Sequence, residues 1–390
     1  MKYKVLLLIV LLLCTTTMGF VTFASNGIVV TLNGEPVHFD VPPTIVEGRT
    51  MVPLRPIFEA LGIAVTWDES TQTVTGTQNK QHITLQIDNV HATVNGQPIT
   101  LEVPAQIIQG RTMVPVRFIA QSVGATVQWD GLQSTVRIAT PLMQVHYIDV
   151  GQADCILVQS DAGKTMLIDA GNHADAQTVL AYLKKQGVQK IDILIGTHPH
   201  EDHIGGMDSI INSFEIGQFY MPKVSANTKT YTAVLEAAKT KGLTIHNAKG
   251  NTTLDFGYDS LEILAPNSVQ YSDVNNYSAV VQLTHGNSTF LFMGDAEAIS
   301  ESEMLKLKLD LKADVLKIGH HGSGSSTMQA LLNAVAPKFA VISVGKGNEF
   351  GHPTKEIINR LLAMQIKIYR TDQNGTIIAK SDGIKITFNQ

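Results

Sequence analysis

The sequence predicts a two-part chain. An α/β domain over residues 144–390 is preceded over residues 27–139 by a small α+β domain built from one unit used twice. Three observations carry this. The C-terminal half alternates short apolar β-type runs with helical stretches. One of those runs, Ile191–Gly196, leads directly into Thr197-His198-Pro199-His200-Glu201-Asp202-His203-Ile204-Gly205-Gly206. The N-terminal half repeats itself at a fixed offset of 62 residues, the mark of one supersecondary unit copied.

At the start of the chain, Lys2 and Lys4 stand ahead of the unbroken apolar run Val5–Leu13, and Thr22-Phe23-Ala24 precedes Ser25. This is the pattern of a secretory signal peptide over residues 1–24, cleaved after Ala24. An uncleaved anchor is the alternative, though the run is short for a membrane span. Leu11-Leu12-Leu13-Cys14 has no small residue before the Cys, which argues against a lipid anchor there. Cleavage removes Lys2 and Lys4 and no acid, which takes the net charge from −5 to −7. A broad basic surface for duplex nucleic acid is thereby disfavoured, while a local basic groove stays open. The 390 residues, 44% of them hydrophobic, suffice for two or three domains with sizeable cores. Only Cys155 would remain in the mature chain, so packing rather than disulfides must hold it together. The expected location is secreted or at the surface of a bacterial cell.

In the first half, Asn33-Gly34 recurs as Asn95-Gly96, Gly48–Pro53 as Gly110–Pro115, and Trp67-Asp68 as Trp129-Asp130. Asn-Gly is a tight hairpin turn. Thr50–Pro53 predicts a short strand and Leu54–Leu61 a short helix stopped by Gly62. Val65–Trp67 and Thr73–Gly76 predict a closing hairpin, and Val116–Val123 is the second unit's helix. Trp67 and Trp129 are expected in the core. This pair of units resembles the copper amine oxidase N-terminal type of domain. His38, His82 and His91 share no ligand spacing, so no copper site is expected. Arg49 and Arg111 either brace the turn before each strand or mark a recognition groove. The domain is expected to act as an adhesion or spacer module towards a cell-wall or surface ligand.

After the linker Ala139–Leu142, Met143–Val150 and Cys155–Val158 read as strands around a polar turn, and Thr165–Ile168 as a strand ending in Asp169-Ala170-Gly171. Asp169 at that strand end, and Asp149 near the end of the strand Met143–Val150, are placed to brace the His loop. Ala174–Gln186 predicts a helix, and Gly205-Gly206 leads into another over Met207–Phe214. The His loop is where open α/β sheets put their ligand sites. Imidazole and carboxylate are ligand types that Zn and Mn accept. Four such groups within six residues crowd a single ion, and two adjacent divalent ions relieve that. Ser278–Thr284 and Thr289–Met293 form a hairpin whose tip carries His285, expected in solvent. The second strand ends in Gly294-Asp295, a good bridging carboxylate. A helix over Glu297–Lys308 and a strand over Ala313–Ile318 deliver Gly319-His320-His321-Gly322-Ser323, and Lys317 is expected to point off the strand. Ala340–Val344 leads on to His352-Pro353 at the start of a helix.

The His198–His203 loop resembles the metallo-β-lactamase superfamily signature, and the resemblance implies a four-layer αββα sandwich and a hydrolase. The order of Asp149–Gln152, Ile168–Gly171, the His loop, Asn275–Ser278, Gly294-Asp295, His320–Ser323 and Gly351–Pro353 resembles the hydrolase domain of the ComEC/Rec2 competence proteins. Their membrane channel has no counterpart here, which leaves DNA transport without support. Many superfamily members place a further His before the bridging Asp, where this chain has Asn275-Asn276. On this basis His198 and His200 form one site, which favours Mn over tight Zn binding. Asp202, His203 and Asp295 form the other, with His352 as terminal ligand or His320 or His321 in its place. A water shared by two divalent ions attacks in line, Asp202 steers it, and His320 or His321 protonates the leaving oxygen. Ser323 and Asn276 are offered to the substrate.

The expected function is a metal-dependent hydrolase of a phosphodiester, single-stranded DNA or a nucleotide. The alternatives are a hydrolase of another ester, lactone or amide, and a cell-surface binding protein without catalysis.

Overall fold

The computed structural model describes residues 27–390 apart from 79, 80, 161, 162 and 258. The expected signal peptide and Cys14 lie outside the described residues.

In the N-terminal half, Asn33 and Gly34 (φ 52° and 88°) and Asn95 and Gly96 (φ 53° and 76°) turn the two opening hairpins in the left-handed conformation that such tight turns require. The strands Arg49–Pro53 and Arg111–Pro115 each run straight into a helix, Leu54–Ala60 and Val116–Ser122. The two units exchange strands rather than sit side by side. Val29–Leu32, which opens the first, pairs in parallel with Thr135–Ala139, which closes the second. In another sheet Gln81–Gln86 bridges Thr73–Gln78 of the first unit to His91–Val94 of the second. Arg49–Pro53 and Arg111–Pro115 pair antiparallel with Val52 opposite Val114, a pseudo-twofold arrangement. A single unit cannot cover its own apolar face, and the exchange lets Val52, Phe58, Val114 and Phe118 share one core. Ion pairs cross the units in the same symmetric way, Arg49 with Glu102 and Arg111 with Asp40.

The tryptophans are not in that core. Trp67 and Trp129 are 40% and 53% exposed. Each stands on an outer strand, Ala64–Asp68 or Thr126–Asp130, with a sheet neighbour on one side only, so its indole overhangs the edge.

In the C-terminal half, two sheets stack face to face, with eight and seven strands among the described residues. The first has Met143–Tyr147, Ile156–Ser160, Thr165–Ile168, Lys190–Ile195 and Glu215–Met221 in spatial order. The second has Asp259–Ala265, Val280–His285, Ser288–Phe292, Val315–Lys317 and Phe339–Ile342. Val145, Ile156 and Ile193 meet Leu261, Phe290 and Val341 between them. Helices Ala176–Lys185, Met207–Ser213 and Lys229–Thr240 cover the outer face of the first sheet through Leu183, Ile210 and Val234. Helices Ala298–Lys306, Gln329–Val335 and Lys355–Ala363 cover the second through Met304, Leu331 and Ile357. This is the αββα sandwich. Its inner strands are covered on both faces, which is why they read as continuous apolar runs.

Two side chains sit opposite to expectation. His285 is buried, because its hairpin tip lies against the N-terminal half rather than in water. Its Nδ1 faces Asp259 Oδ1 at 2.7 Å and its Nε2 faces the Pro141 carbonyl at 3.0 Å, while the neighbouring Asn287 accepts from Gln78 Nε2 at 2.8 Å. Lys317 is also buried, with Nζ 2.8 Å from Asp154 Oδ2. Among the described residues no helix is long and apolar enough to cross a membrane.

Candidate metal centre

The C-terminal ends of strands in both sheets meet at one rim, and the chemistry-bearing loops leave from there. The strand Lys190–Ile195 delivers the His loop, whose short helix Glu201–Ile204 turns Asp202 and His203 back over the sheet. Gly205 and Gly206 let this loop lie directly on the Asp169–His173 segment. A Cβ on Gly205 would come within 2.3 Å of His173 N, and one on Gly206 within 2.5 Å of the Ala170 carbonyl. The packed loops are tied by Ala170 N to the His203 carbonyl at 2.7 Å and Asp154 N to the Asp202 carbonyl at 3.0 Å.

Asp202, His203, Asp295 and His321 each offer a donor atom, and these four atoms lie within 4.8 Å of one another. His203 Nδ1 donates to Asp169 Oδ2 at 2.8 Å, which leaves Nε2 as the lone-pair nitrogen, 3.2 Å from Asp295 Oδ2. His321 Nδ1 donates to the Ser343 carbonyl at 3.0 Å, which turns its Nε2 to Asp202 Oδ2 at 3.2 Å. A carboxylate or carbonyl behind the ring that frees the other nitrogen is the usual support for a metal-binding histidine. His203 Nε2 and Asp295 Oδ1 are buried without a hydrogen-bond partner in the described structure. Such orphaned atoms are costly in the absence of a ligand. Two imidazole nitrogens and two carboxylates with these unpaired atoms fit a divalent cation.

The electrostatics agree. Desolvation opposes a charged His203, yet the carboxylates of Asp295, Asp202 and Asp169 outweigh it and hold the ring's pKa well above its ordinary value. Burial would raise Asp295, and the facing His203 and His321 instead hold it well below the usual carboxylate range. The carboxylates of the cluster therefore favour positive charge at its centre.

His198 is buried beside this group. Its Nε2 lies 2.9 Å from His200 Nδ1 and 3.9 Å from Asp295 Oδ2, and its Nδ1 lies 3.3 Å from Ser278 Oγ, the hydroxyl that Asp295 N also bonds at 3.0 Å. Burial and the neighbouring His203 hold His198 well below its ordinary pKa, so it is neutral and available as a ligand. His200 is exposed at the rim. His320 and His321 both adopt left-handed backbone (φ 47° and 52°), which splays their rings. His320 Nδ1 bonds Glu297 Oε1 at 3.1 Å, with Nε2 3.7 Å from Asp295 Oδ2. His352 stands outside the four-donor group, edge-on to His320 at 5.6 Å between ring centres. Of the three histidines offered for the terminal place, His321 is the one whose ring nitrogen falls within the four-donor group.

Ser323 is half-buried, its Oγ 2.8 Å from Ser325 Oγ. Two expected site residues are used elsewhere. Asn276 is buried, and its Oδ1 accepts from Ser300 N at 3.1 Å, which anchors the helix Ala298–Lys306 rather than facing a substrate. Asp149 is exposed, with its Oδ1 on Gly151 N at 3.2 Å, because its strand has ended and its side chain turns away from the His loop. The bracing carboxylates are Asp169, through His203 and Thr197, and Asp154, which the sequence did not single out. Asp154 Oδ1 lies 3.5 Å from His321 Nδ1. Glu297 was also missed. The signal for Asp154 was its place on the polar turn Gly151–Asp154, and for Glu297 its spacing two residues after Asp295.

Residues 148–346 match the family described as the metallo-beta-lactamase superfamily, and residues 31–138 match the copper amine oxidase N-terminal domain. The chain belongs to the metallo-beta-lactamase superfamily, whose fold implies divalent metal ions and a hydrolase framework. Within it, the chain is 31% identical over 251 residues to the ComE operon protein 3 of Bacillus subtilis (strain 168), covering 60% of this chain and 32% of that one. It is 33% identical over 231 residues to the competence protein ComA of Neisseria gonorrhoeae, covering 59% and 31%. The chain thus spans about a third of the length of these relatives. The crystal structure of the metallo-beta-lactamase fold protein YhfI from Bacillus subtilis aligns with a TM-score of 0.40 at 12% identity, over 62% of this chain and 100% of that one.

Proposed function

We propose that this chain is a secreted or cell-surface metal-dependent phosphodiesterase acting on DNA or nucleotides, with an N-terminal module that grips a surface ligand. The observation that carries the hydrolase reading is the four-donor cluster with the buried, unpaired His203 Nε2 and Asp295 Oδ1. Asp202, His203, Asp295 and His321 would hold one ion, and His198 and His200 with Asp295 a second, Zn or Mn. Such ions supply an activated water and neutralise charge developing on a phosphoryl group.

The chain's own residues do the rest. Asp202, 31% exposed on the open side, orients the attacking water. Glu297 accepts the Nδ1 proton of His320, so His320 Nε2 is the nitrogen that takes up and hands on a proton at the leaving oxygen. The Ser323 hydroxyl is offered to a phosphate oxygen, while its neighbour Ser325 donates to Glu297 Oε1 at 2.7 Å. Phe350, 70% exposed, lies over the His352 ring at 5.8 Å and 26°, and His352 meets His320. This line of rings from the cluster to solvent supports a substrate that carries bases, which stack on such platforms. The competence proteins among the relatives support the same substrate class.

The test is hydrolysis of bis-p-nitrophenyl phosphate and single-stranded DNA by the purified full chain loaded with Mn or Zn. Asp202→Ala should abolish it. Full activity in that variant discards the mechanism, and cleavage of lactones or thioesters without phosphodiesters reassigns the substrate.

A further inference from the structure

The strand exchange that builds the N-terminal module leaves the same indole in solvent twice. Trp67 and Trp129 occupy equivalent places on the two outer strands and are 40% and 53% exposed. Single exposed apolar residues need no explanation. Here, however, Trp67 overhangs a groove of about 950 Å³ whose walls come from both units. Asp40, Arg55 and Glu59 line it from the first unit, and Ile107 and Arg111 from the second.

The polar groups in the groove are paired with one another. Arg111 Nε donates to Asp40 Oδ2 at 2.7 Å, and Arg55 Nη1 reaches Glu59 Oε1 and the Val65 carbonyl, each at 3.4 Å. The second unit carries part of this set at the same offset, with Gln121 and Gly131 where the first has Glu59 and Glu69. Glu102 stands for Asp40, Arg49 for Arg111 and Arg117 for Arg55, with Arg117 Nη1 2.7 Å from Glu102 Oε1 and Arg49 paired to the same carboxylate.

The groove selects its occupant by chemistry. Among its large apolar lining residues only Trp67 and Ile107 are substantially exposed, which is too little apolar floor for an amphipathic helix. Its acids Asp40, Glu59 and Glu69 outnumber Arg55 and Arg111, which repels a polyanion. A flat indole beside oriented carboxylates and guanidinium groups suits a ligand with an apolar C–H face and a rim of hydroxyl and amide N–H donors. A pyranose ring of an N-acetylated sugar is such a ligand.

We propose that the N-terminal module is a two-site binder of the amino-sugar polysaccharide of a cell wall, with Trp67 and Trp129 as the stacking platforms. This rests on the reading above that the module grips a surface ligand, and names that ligand's class and its site. Two related indole platforms on one chain add avidity for a polymer that neither has for a short oligosaccharide.

The experiment uses the full chain with two probes, chitotetraose followed by intrinsic tryptophan fluorescence, and purified peptidoglycan sacculi followed by co-sedimentation. We expect quenching and a blue shift with chitotetraose, retention on sacculi at least tenfold tighter than the oligosaccharide affinity, and loss of retention in Trp67→Ala/Trp129→Ala. The Trp67→Phe/Trp129→Phe variant should weaken retention only about threefold, since a smaller ring still stacks. Hydrolysis of bis-p-nitrophenyl phosphate should be unchanged in both variants. Retention on sacculi that the double alanine variant keeps, at unchanged circular dichroism, overturns the proposed site and leaves the surface reading standing. Binding to whole envelopes but not to sacculi or chitotetraose overturns the glycan. No retention on any envelope fraction overturns the surface reading as well.

Discussion

The buried pair beneath the metal centre makes a quantitative prediction. Lys317 and Asp154 are 0% and 1% exposed, with Nζ 2.8 Å from Oδ2. The same ammonium donates to the Ile318 carbonyl at 3.0 Å. In Lys317→Met the stem volume is kept and the charge is removed, so the Asp154 carboxylate is left buried without its cation. Breaking one side of a buried pair costs about 3–5 kcal/mol, most of it the uncompensated partner. For a unit of roughly 150–250 residues each kcal/mol lowers Tm by about 2–4 °C, so the C-terminal half should melt about 6–20 °C earlier.

Removing both charges should be far milder. Lys317→Met/Asp154→Leu replaces the pair by apolar side chains of similar bulk, a change that is often neutral or stabilising. The double-mutant cycle in urea should therefore return a coupling of more than about 2 kcal/mol. It should be measured with chelator present, so that metal binding does not mask the difference. A Lys317→Met loss below about 1 kcal/mol, or a double variant no more stable than that single one, would refute the reasoning.

Three further outcomes are expected. Asp169→Asn keeps the shape behind His203 but weakens the hold on its Nδ1 proton, and calorimetric titration should show metal affinity falling about 10–100-fold. Burial pushes the Glu301 carboxyl up to about 7 against the opposing Met328 and Thr327 amides and Arg360. A folded pKa above the unfolded value means that this group's contribution to stability is full below pH 4.5 and is lost as pH rises through about 7, a loss of about 3 kcal/mol that Glu301→Gln should remove from the pH dependence in denaturant titrations. Phe350→Ala should raise KM for single-stranded DNA about fivefold or more, the equivalent of about 1 kcal/mol or more of stacking, and leave an abasic oligonucleotide unaffected.

The parts legible in the sequence share a physical cause. His198, His200, Asp202, His203 and Asp295 follow directly on apolar strands, so a change from apolar to ligating residues marks both the strand end and the site. The 62-residue offset exposed the repeat in the same direct way. Residues whose state depends on a distant partner were not legible. A lysine in a short strand reads as outward-facing, and only the arrival of Asp154 from 163 positions away makes burial of Lys317 tolerable. His285 at a hairpin tip reads as wet, and only the docked linker at Pro141 and the Asp259 carboxylate dry it. Trp67 and Trp129 fail in the opposite direction. Each stands on a strand that pairs only with its own hairpin partner and ends its sheet, and a large aromatic in a strand does not by itself reveal that edge position.

The choice among His320, His321 and His352 shows why spacing alone left the last ligand open. His320 and His321 are adjacent, and on a regular strand or helix adjacent rings diverge so that one is lost to the site. Two successive left-handed residues do something else. They send His321 inward, where the Ser343 carbonyl takes its Nδ1 proton, and leave His320 on the rim with its Nδ1 proton on Glu297. Both Nε2 atoms then face Asp295, at 3.8 Å and 3.7 Å, one from a buried ring and the other from a ring still open to substrate. A strained turn flanked by Gly319 and Gly322 thus gives two adjacent histidines a buried and an open position within two residues, the positions that the proposed ligand and proton carrier require. The bulk of His352 is then free to extend the ring line towards Phe350.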